Sequence, residues 1–255
     1  MPYAPLKRVG LARALSKLGF CSRGQAVQLI RAGKVRVNGV VRRDTETPVR
    51  LGKDRIEVDG EQLNATAKIY LVLNKPRGIV TTASDEKGRD TVYSLLGAEL
   101  PWVAPVGRLD KASEGLLLLT NDSGWGARVT APETHLDKTY HVQIGTIADA
   151  TLLEALKKGV RTKEGDALRV KDASLLRQGE RNSWVEIILD EGKNRHIRRM
   201  LETLGIEVLR LIRVAIGPLA LGELGKAAVR QLTAEEKLTL DRATKQNTKA
   251  IAPRR

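Results

Sequence analysis

The chain contains very little cysteine and few aromatic residues. Cys21 is the only cysteine among 255 residues, which excludes an intramolecular disulfide and a zinc site built from several cysteines. We predict that Cys21 is a small buried residue. Phenylalanine, tyrosine and tryptophan together make up 3% of the chain, so we do not expect RNA to bind on a broad platform of aromatic rings.

Long apolar runs are missing too. No stretch approaches the roughly 20 apolar residues of a membrane-spanning helix. The opening residues, MPYAPLKRVG, lack the apolar core of a signal peptide. These absences predict a cytoplasmic protein without a membrane partner.

The common cofactor motifs are also absent. There is no Walker loop, no GxGxxG after a strand and no HExxH. The three histidines, His135, His141 and His196, lack the spacing of metal ligands and are predicted to be structural or solvent-exposed. The sequence therefore predicts neither a cofactor nor a metal.

What the chain does have is a large excess of positive charge. Lysine and arginine total 44 against 30 aspartate and glutamate residues, which gives a formal net charge of +14 and a pI near 10.1. Because neutralising phosphates releases condensed counterions, this excess favours a nucleic acid as partner. An anionic membrane is less favoured, since no amphipathic lysine-rich helix stands out.

The first segment, residues 1–63, is predicted to be a small separate domain. Apolar residues at helical spacing predict a helix that ends at Gly19. Ser22 is predicted to cap a second helix, which ends at Gly33. Valines then alternate with polar residues around Asn38-Gly39, and this pattern predicts a hairpin with a type I′ turn.

This segment is also rich in basic residues, which indicates an RNA-binding module. Six of them are predicted to line one surface that faces phosphates: Arg13, Lys17, Arg23, Arg31, Lys34 and Arg36. For any single one of these residues, an ordinary solvated basic face is an equally good interpretation.

Residues 64–235 are predicted to form the large domain. IYLVLNKP and GLLLLT are nearly continuous apolar runs, as expected of central strands, whereas KTYHVQI and SWVEIIL alternate like half-buried strands. Two helices are expected, in ADATLLEALKKG and RHIRRMLETLG. Because several strands lack intervening helices, the predicted fold class is α+β, with a mixed, mainly antiparallel sheet flanked by helices. Residues 236–255 are predicted to be a basic, disordered tail, and the whole protein a monomer.

Three charged segments lie in otherwise apolar, glycine-punctuated surroundings. In PVGRLDKASEGLLLLTND, Arg108 and Asp110 are two residues apart and can point into one cleft. From spacing alone, a surface ion pair or an Asx turn at Asp110 is the better interpretation. In DEGKNRHIRRMLETLG, Arg195 and Arg199 share a face, which suits either a phosphate-binding helix start or a basic surface helix. Tyr140, in KTYHVQI, is by itself an ordinary strand aromatic.

Taken together, these segments resemble the motifs of pseudouridine synthases. GRLDKASEGLLLLTND is similar to the family's signature motif, LNKPRGIVTT to its first motif, DKTYHVQI to its tyrosine motif, EGKNRHIRRM to its arginine motif and RLIRVAIGPLALGELGKAAVRQLT to its C-terminal motif. The resemblance runs from residue 11 to about residue 233, in family order. It is to the branch that modifies ribosomal RNA and carries an N-terminal alpha-L RNA-binding domain of the S4 type.

The resemblance implies roles for individual residues. Asp110 matches the family's catalytic aspartate, and Tyr140 matches the tyrosine that stacks on the target uracil. Arg198 matches the arginine that pairs with the aspartate. Leu211 matches the apolar floor of the uracil pocket, and Arg108 matches the arginine that enters the space left by the target base.

The implied reaction agrees with the absence of cofactor motifs. Pseudouridylation breaks the N-glycosidic bond, rotates the uracil and joins its carbon 5 to the same sugar carbon, without redox chemistry or energy input. Burial alone would raise the pKa of a catalytic carboxylate, and a buried Arg198 would oppose that rise. Three roles stay open for Asp110: attack on the sugar, attack on the base, and abstraction of a sugar proton.

Two other functions fit parts of the sequence. An RNA-binding or ribosome-assembly protein without catalysis would need only the N-terminal module and the basic surface, yet Asp110, Tyr140 and Arg198 are all retained. A synthase acting on transfer RNA would need no alpha-L module. We therefore predict that the partner is ribosomal RNA or a ribosome-assembly intermediate. The resemblance favours the large-subunit 23S RNA, with small-subunit 16S RNA as the alternative.

Overall fold

The computed structural model describes residues 8–83, 85 and 88–251, and its chain divides into two units. The first unit takes the described residues up to Tyr70, together with Gly97–Ala104 and Leu119–Ser123. The second unit takes Leu71–Leu96, Pro105–Leu118 and the chain from Gly124 onward. The N-terminal module thus extends past residue 63 and includes two short segments from later in the chain.

The first unit contains two helices and six short strands. In chain order these are β1 (Val9–Gly10), α1 (Leu11–Lys17), α2 (Arg23–Arg31), β2 (Val35–Val37), β3 (Val40–Val41), β4 (Pro48–Val49), β5 (Ile56–Val58) and β6 (Glu61–Gln62). Four strands form an antiparallel sheet in the order β3-β2-β5-β6, and β1 pairs with β4. Buried apolar side chains of both helices and the sheet form the core.

The local signals read from the sequence act as predicted in this unit. Ser22 caps α2 in a capping box with Gln25. Asn38 and Gly39 both have positive φ, at 52° and 81°, as a type I′ hairpin requires. Cys21 is buried, as predicted, and burial raises the pKa of its thiol to about 11.

The second unit is built on one large sheet. Its strands are β7 (Tyr70–Lys75), β8 (Ala104–Val106), β9 (Glu114–Thr120), β10 (Lys138–Ile144), β13 (Asp172–Gln178), β14 (Ser183–Leu189), β15 (Val208–Ile216), β16 (Leu219–Ala220) and β17 (Val229–Gln231). A separate pair is formed by β11 (Val160–Arg161) and β12 (Ala167–Leu168). The helices are α3 (Ser123–Thr130), α4 (Ala150–Lys158), α5 (His196–Thr203) and α6 (Ala234–Ile251).

The sheet is mixed and mainly antiparallel, so the predicted α+β class is confirmed. Its order is β13-β14-β10-β15-β9-β7-β17, with β16 added to β15 and β8 added to β9. A parallel pairing joins β9 and β15, while the other registered pairs of this sheet are antiparallel. The side chains of α4 and α5 share a core with β10, β14 and β15.

A glycine makes the parallel pairing possible. Gly115 on β9 lies opposite Arg213 on β15 and has a φ of +102°. A Cβ atom at this position would collide with the Arg213 backbone carbonyl. Only glycine allows the two strands to approach this closely.

The outer strand β13 is irregular. Its register with β14 shifts between Leu175 and Arg177, so Leu176 is an extra, bulged residue. Leu175 and Leu176 are both exposed.

The prediction of a disordered tail over residues 236–255 is wrong for most of that range, because α6 spans Ala234–Ile251. Thr233 and Glu236 form a capping box at the start of the helix. Leu240 is fully buried, and Trp125 Nε1 donates a hydrogen bond to Asp241 at 2.8 Å. Burial and capping outweigh the basic composition that suggested disorder. Residues 1–7 and 252–255 lie outside the described residues.

Within the part of the chain that the structure describes, no helix is both long and apolar enough to span a membrane.

Candidate active site

Asp110 lies on the turn between β8 and β9. The turn begins after Gly107, whose φ is +78°, and is closed by a hydrogen bond from the Ser113 amide to the Asp110 carbonyl at 2.9 Å. Lys111 and Leu109 are held from the chain that follows β7. The Lys111 carbonyl accepts from the Gly78 amide, and the Leu109 carbonyl accepts from the Thr81 hydroxyl at 2.8 Å. The backbone on both sides of Asp110 is therefore fixed.

A buried lysine binds the same turn from below. The side chain of Lys75 at the end of β7 is fully buried, and its ammonium donates to the carbonyls of Pro76, Asp110 and Ser113 at 3.1, 3.2 and 2.9 Å. Burial lowers the pKa of Lys75 from 10.5 to about 8, and the negative charges of Asp110 and Glu114 partly oppose this shift. The lysine thus fixes the backbone of the turn and leaves the Asp110 carboxylate free.

The carboxylate of Asp110 is partly buried and makes no hydrogen bond or ion pair with any described residue. This differs from the expectation that Arg198 pairs with it directly. Arg198 Nη2 donates instead to the carbonyl of Ala112, on the same turn, at 2.9 Å. Arg198 is near enough for Asp110 to favour its charged form, although burial and the cations Arg195 and Arg77 lower its pKa. Arg198 therefore holds the turn and supplies positive charge close to the carboxylate.

The turn opens onto a cavity of about 430 Å³ in the second unit. Four of the predicted site residues line it: Arg108, Asp110, Tyr140 and Leu211. Arg198 lies behind the wall and is absent from the lining. Arg108 is exposed at the rim, so both charged residues of the GRLD segment do reach one cleft.

Tyr140 and Leu211 come from neighbouring strands. On β10 and β15, Val142 lies opposite Leu211, and Tyr140 lies opposite Arg213. Side chains two residues apart on a strand share a face, so Tyr140, Leu211 and Arg213 project from the same face of the sheet. That face provides an aromatic ring, an aliphatic side chain and a guanidinium side by side in the cavity.

The helix α5 places further polar groups at the cavity. Its preceding residue, Arg195, has a left-handed backbone with φ 48°, and its side chain makes no capping hydrogen bond with the described part of the helix. Arg195 lines the cavity and makes no ion pair with a described residue. Arg199, which the sequence placed on the same face, is instead engaged with Asp166 and Glu164. Only Arg195 of the two remains available to a ligand.

Polar groups without partners concentrate at this site. Among the described residues, five buried side-chain nitrogen or oxygen atoms make no hydrogen bond: Ser113 Oγ, both ring nitrogens of His196, Arg198 Nε and Arg213 Nη2. Ser113, His196 and Arg213 line the cavity, and Arg198 binds the Asp110 turn. Buried polar groups are normally satisfied, so this concentration is typical of a site that completes its hydrogen bonds with a ligand.

His196 shows the effect of burial on a polar side chain of this cavity. It is 3% exposed, and Glu191 Oε1 lies 3.8 Å from its Nδ1. Burial lowers the pKa of His196, partly offset by Glu191 and by the nearby backbone of Arg169. Its imidazole is accordingly neutral near pH 7. The sequence had assigned it no function.

Lys75 and Arg213 are two further site residues that sequence reasoning did not identify. Lys75 ends the apolar run IYLVLN, and Arg213 interrupts LRLIRVAI two residues after Leu211. A charge inside an apolar run, on the same strand face as a predicted pocket residue, is the signal that points to Arg213.

The predicted RNA-binding residues lie on α1, α2 and β2 of the first unit or next to them. Arg13, Arg23, Arg31 and Arg36 are exposed and make no ion pair with described residues, whereas Lys17 is partly buried. Lys34 pairs with Asp59 at 3.2 Å. Their common role in binding phosphates stays a prediction. Among the described residues, no cluster of three or more His, Cys, Asp or Glu side chains is arranged to hold a metal ion.

Two protein-family models match the chain. The model described as RNA pseudouridylate synthase matches residues 69–203, and the model described as S4 domain matches residues 9–61. The first match covers the Asp110 turn, Tyr140 and the whole of α5. The second covers the helices and strands of the first unit.

Curated proteins and a solved structure give the same result. The chain is 37% identical over 228 residues to ribosomal large subunit pseudouridine synthase B of Bacillus subtilis, covering 89% of this chain and 93% of that protein. It is 40% identical over 218 residues to an uncharacterized RNA pseudouridine synthase of Rickettsia prowazekii, covering 84% and 90%. A crystal structure of a pseudouridylate synthase superposes with a TM-score of 0.64 at 29% identity, covering 91% of this chain and 99% of that one.

Proposed function

Because the chain belongs to the RNA pseudouridylate synthase family, we propose that it isomerises a specific uridine of ribosomal RNA to pseudouridine with Asp110 as its catalytic carboxylate. The observation that supports this role is the setting of Asp110. Its backbone is held by Lys75, and its carboxylate has no partner among the described residues and lies at a cavity with unsatisfied donors. Such a carboxylate is available to react with a bound nucleotide.

The cavity suits a base that has left its stack. Extruding a nucleotide costs a few kcal/mol, and stacking on Tyr140 over Leu211 returns part of that cost. After the glycosidic bond breaks, the uracil must turn before carbon 5 joins the sugar. A cavity of about 430 Å³ with an aromatic wall holds the detached base while it turns. Arg108, exposed at the rim, is placed to enter the space that the base leaves in the RNA.

The charge around Asp110 supports an ionised carboxylate. Arg198 brings a guanidinium behind the turn, and Lys75 brings an ammonium beneath it. Both cations interact favourably with a negatively charged carboxylate on the turn. In each of the three possible roles of Asp110, the ionised form is the reactive one.

The large-subunit RNA is the proposed substrate. The Bacillus subtilis relative, which matches 89% of this chain, is named as a large-subunit synthase. The S4 domain of the first unit supports binding to ribosomal RNA or to an assembly intermediate. Mapping pseudouridines in ribosomal RNA from cells lacking this protein tests the assignment. Loss of one site in 23S RNA is expected, and loss only in 16S RNA or in transfer RNA would redirect it.

We expect Asp110→Asn to reduce pseudouridine formation by at least about 1,000-fold, because the swap removes the reactive charge at nearly constant shape. RNA affinity should stay within about twofold. Tritium release from labelled uracil measures turnover, and filter binding measures affinity. Asp172→Asn is the matched control, since its carboxylate is exposed at the start of β13 and pairs with Lys157 of α4. Substantial turnover by Asp110→Asn would show that another group performs the chemistry.

A further inference from the structure

Arg213 on β15 is a buried cation whose guanidinium is only partly hydrogen-bonded by the described residues. It is 6% exposed, and its Nε donates to the carbonyl of Leu116 at 2.8 Å. Among the residues that the structure describes, neither Nη1 nor Nη2 finds a hydrogen-bond acceptor, and no carboxylate pairs with the guanidinium. One side of the group is thus anchored to β9 while the other side lines the cavity.

This arrangement is costly unless a ligand completes it. A guanidinium has five N–H donors and no acceptor, and burying a charge without a partner is strongly unfavourable. Lys138, at the start of β10, is a second cation that lines the cavity. Burial and then the positive charge of Arg213 lower the pKa of Lys138, while Asp137 and Asp190 partly oppose this shift. Two cations therefore face the same space, which suits an acceptor-rich ligand.

The neighbours of Arg213 define the shape of that ligand. Tyr140 lies directly opposite on β10, and Leu211 is two residues away on the same face of β15. An aromatic ring and an aliphatic side chain bind the faces of a flat heterocycle, while a donor fixed beside them reaches an acceptor on its edge. A planar ring with carbonyl oxygens fits this set of groups.

We propose that Arg213 donates a hydrogen bond to the O4 carbonyl of the target uracil and thereby selects uracil over cytosine. The proposal rests on the proposed function, in which Tyr140 and Leu211 bind the target base. Cytosine carries an amino group where uracil has its O4 carbonyl. A donor-only group facing that position would leave two donors opposed, so a site built on the O4 carbonyl rejects cytosine.

The test is a double-mutant cycle, in which Arg213 and the target base are changed singly and together. RNA fragments containing the target site are made with uridine, 4-thiouridine or 2-thiouridine at that position, because sulfur is the weaker acceptor. Affinities are measured for the full chain with Asp110→Asn as background, alone and combined with Arg213→Gln or Arg213→Lys. Turnover of the uridine RNA by the unchanged protein is measured separately. That turnover reports on the proposed function, whereas the cycle reports on Arg213.

With Arg213 present, 4-thiouridine should weaken binding about 10- to 100-fold, the range of a hydrogen bond to a charged group. A loss with 2-thiouridine instead would overturn the selection against cytosine, because cytosine also carries the O2 carbonyl. With Arg213→Gln, the uridine RNA should bind that much more weakly and the 4-thio substitution should have no further effect. Additive losses would overturn the proposal. A third RNA carries neutral methylphosphonates beside the target, and loss of sensitivity to these groups in Arg213→Gln would place the arginine on phosphate and overturn the proposal as well.

Arg210→Gln provides the matched control. Arg210 lies three residues earlier on β15, on the opposite face of the sheet, and pairs with Glu114 at 3.0 Å. Its thio sensitivity should equal that of the unchanged protein. Thermal unfolding midpoints of all variants are compared, and Arg213→Lys, which keeps the charge but loses the fork, serves where Arg213→Gln does not fold.

Discussion

At the scale of single residues, Lys75 is a buried cation that binds the backbone of the Asp110 turn. Its ammonium donates to three carbonyls while the whole residue is inaccessible to solvent. The folded state lowers its pKa to about 8, so between pH 8 and 10.5 the unfolded chain binds a proton that the folded chain does not. The free energy of unfolding therefore rises with pH across this window.

We predict that the free energy of unfolding of the unchanged protein, relative to Lys75→Met, increases by up to about 3 kcal/mol between pH 8 and pH 10.5. Urea unfolding at a series of pH values measures the difference, and groups common to both proteins cancel. Lys75→Arg is the control, because a guanidinium stays protonated and its difference from Lys75→Met should not change with pH. A constant difference for lysine would mean that its ammonium is not desolvated.

The two arginines near Asp110 should behave differently. Arg198→Ala removes the hydrogen bond to Ala112 and the positive charge behind the turn. We expect kcat/KM to fall about 100-fold or more at every salt concentration, in keeping with the ~3–5 kcal/mol cost of breaking a buried charge interaction. Arg195→Ala removes an exposed cation, so it should chiefly weaken RNA binding and flatten the salt dependence by roughly one unit. Identical salt profiles for the two variants would contradict these assignments.

The sequence was informative about residues whose chemistry is written into local motifs. Asp110, Tyr140 and Leu211 were placed in one site from motif resemblance, and all three line the same cavity. Arg213 could not be found this way, because its significance depends on its pairing with Gly115 and Tyr140 across two strands. The predicted direct pairing of Arg198 with Asp110 was wrong for a similar reason. Backbone carbonyls compete with carboxylates for guanidinium donors, and a sequence motif does not show which carbonyls lie nearby.

At the scale of secondary-structure elements, the parallel pairing of β9 with β15 positions residues of the candidate active site. Gly115 has a left-handed φ, and its missing side chain leaves room for the backbone of Arg213. We predict that Gly115→Ala lowers the free energy of unfolding by at least about 3 kcal/mol, because strain and collision add. Gly165→Ala is the control. Gly165 also has a positive φ, of +92°, but has open space around it, so only strain of about 1–2 kcal/mol is expected.

Urea unfolding measures both effects. Equal losses at Gly115 and Gly165 would show that β9 and β15 can separate without penalty.

Strands and helices with strong local signals were predictable, and the last helix was not. The strands KTYHVQI and SWVEIIL are found at the predicted residues, as β10 and β14. The helix α6 was taken for a disordered tail because its composition is basic. Its capping pair, Thr233 and Glu236, was present in the sequence, but the burial of Leu240 depends on distant packing that composition does not report.

At the scale of the whole molecule, charge is expected to govern binding through the first unit. A full-length variant with Arg13, Arg23, Arg31 and Arg36 changed to glutamine should bind RNA more weakly while keeping its rate at saturating RNA. Each phosphate contact that is lost should flatten the plot of log affinity against log salt by roughly one unit. Lys34→Gln should have less effect, because Lys34 is already paired with Asp59. Equal slopes for the unchanged and substituted proteins would show that this surface does not bind phosphates.

For this measurement, substituting the four arginines in the full-length chain is preferable to removing the first unit. The first unit includes Gly97–Ala104 and Leu119–Ser123, so a cut at residue 63 would leave parts of it behind. Sequence reasoning placed a boundary there because the polar stretch at 64–68 reads as a linker. Segments that return to an earlier unit cannot be recognised from composition, since their assignment depends on the tertiary path of the chain.

The bulge in β13 also bears on how the protein behaves when many copies are present. An outermost strand offers a row of backbone donors and acceptors that a second chain can extend into a continuous sheet. Leu176 breaks the regular spacing of that row, and the neighbouring Arg177 adds a charge at the same point. We therefore expect the bulge and this charge to oppose pairing of β13 with the edge strand of a second copy, even though Leu175 and Leu176 are exposed there.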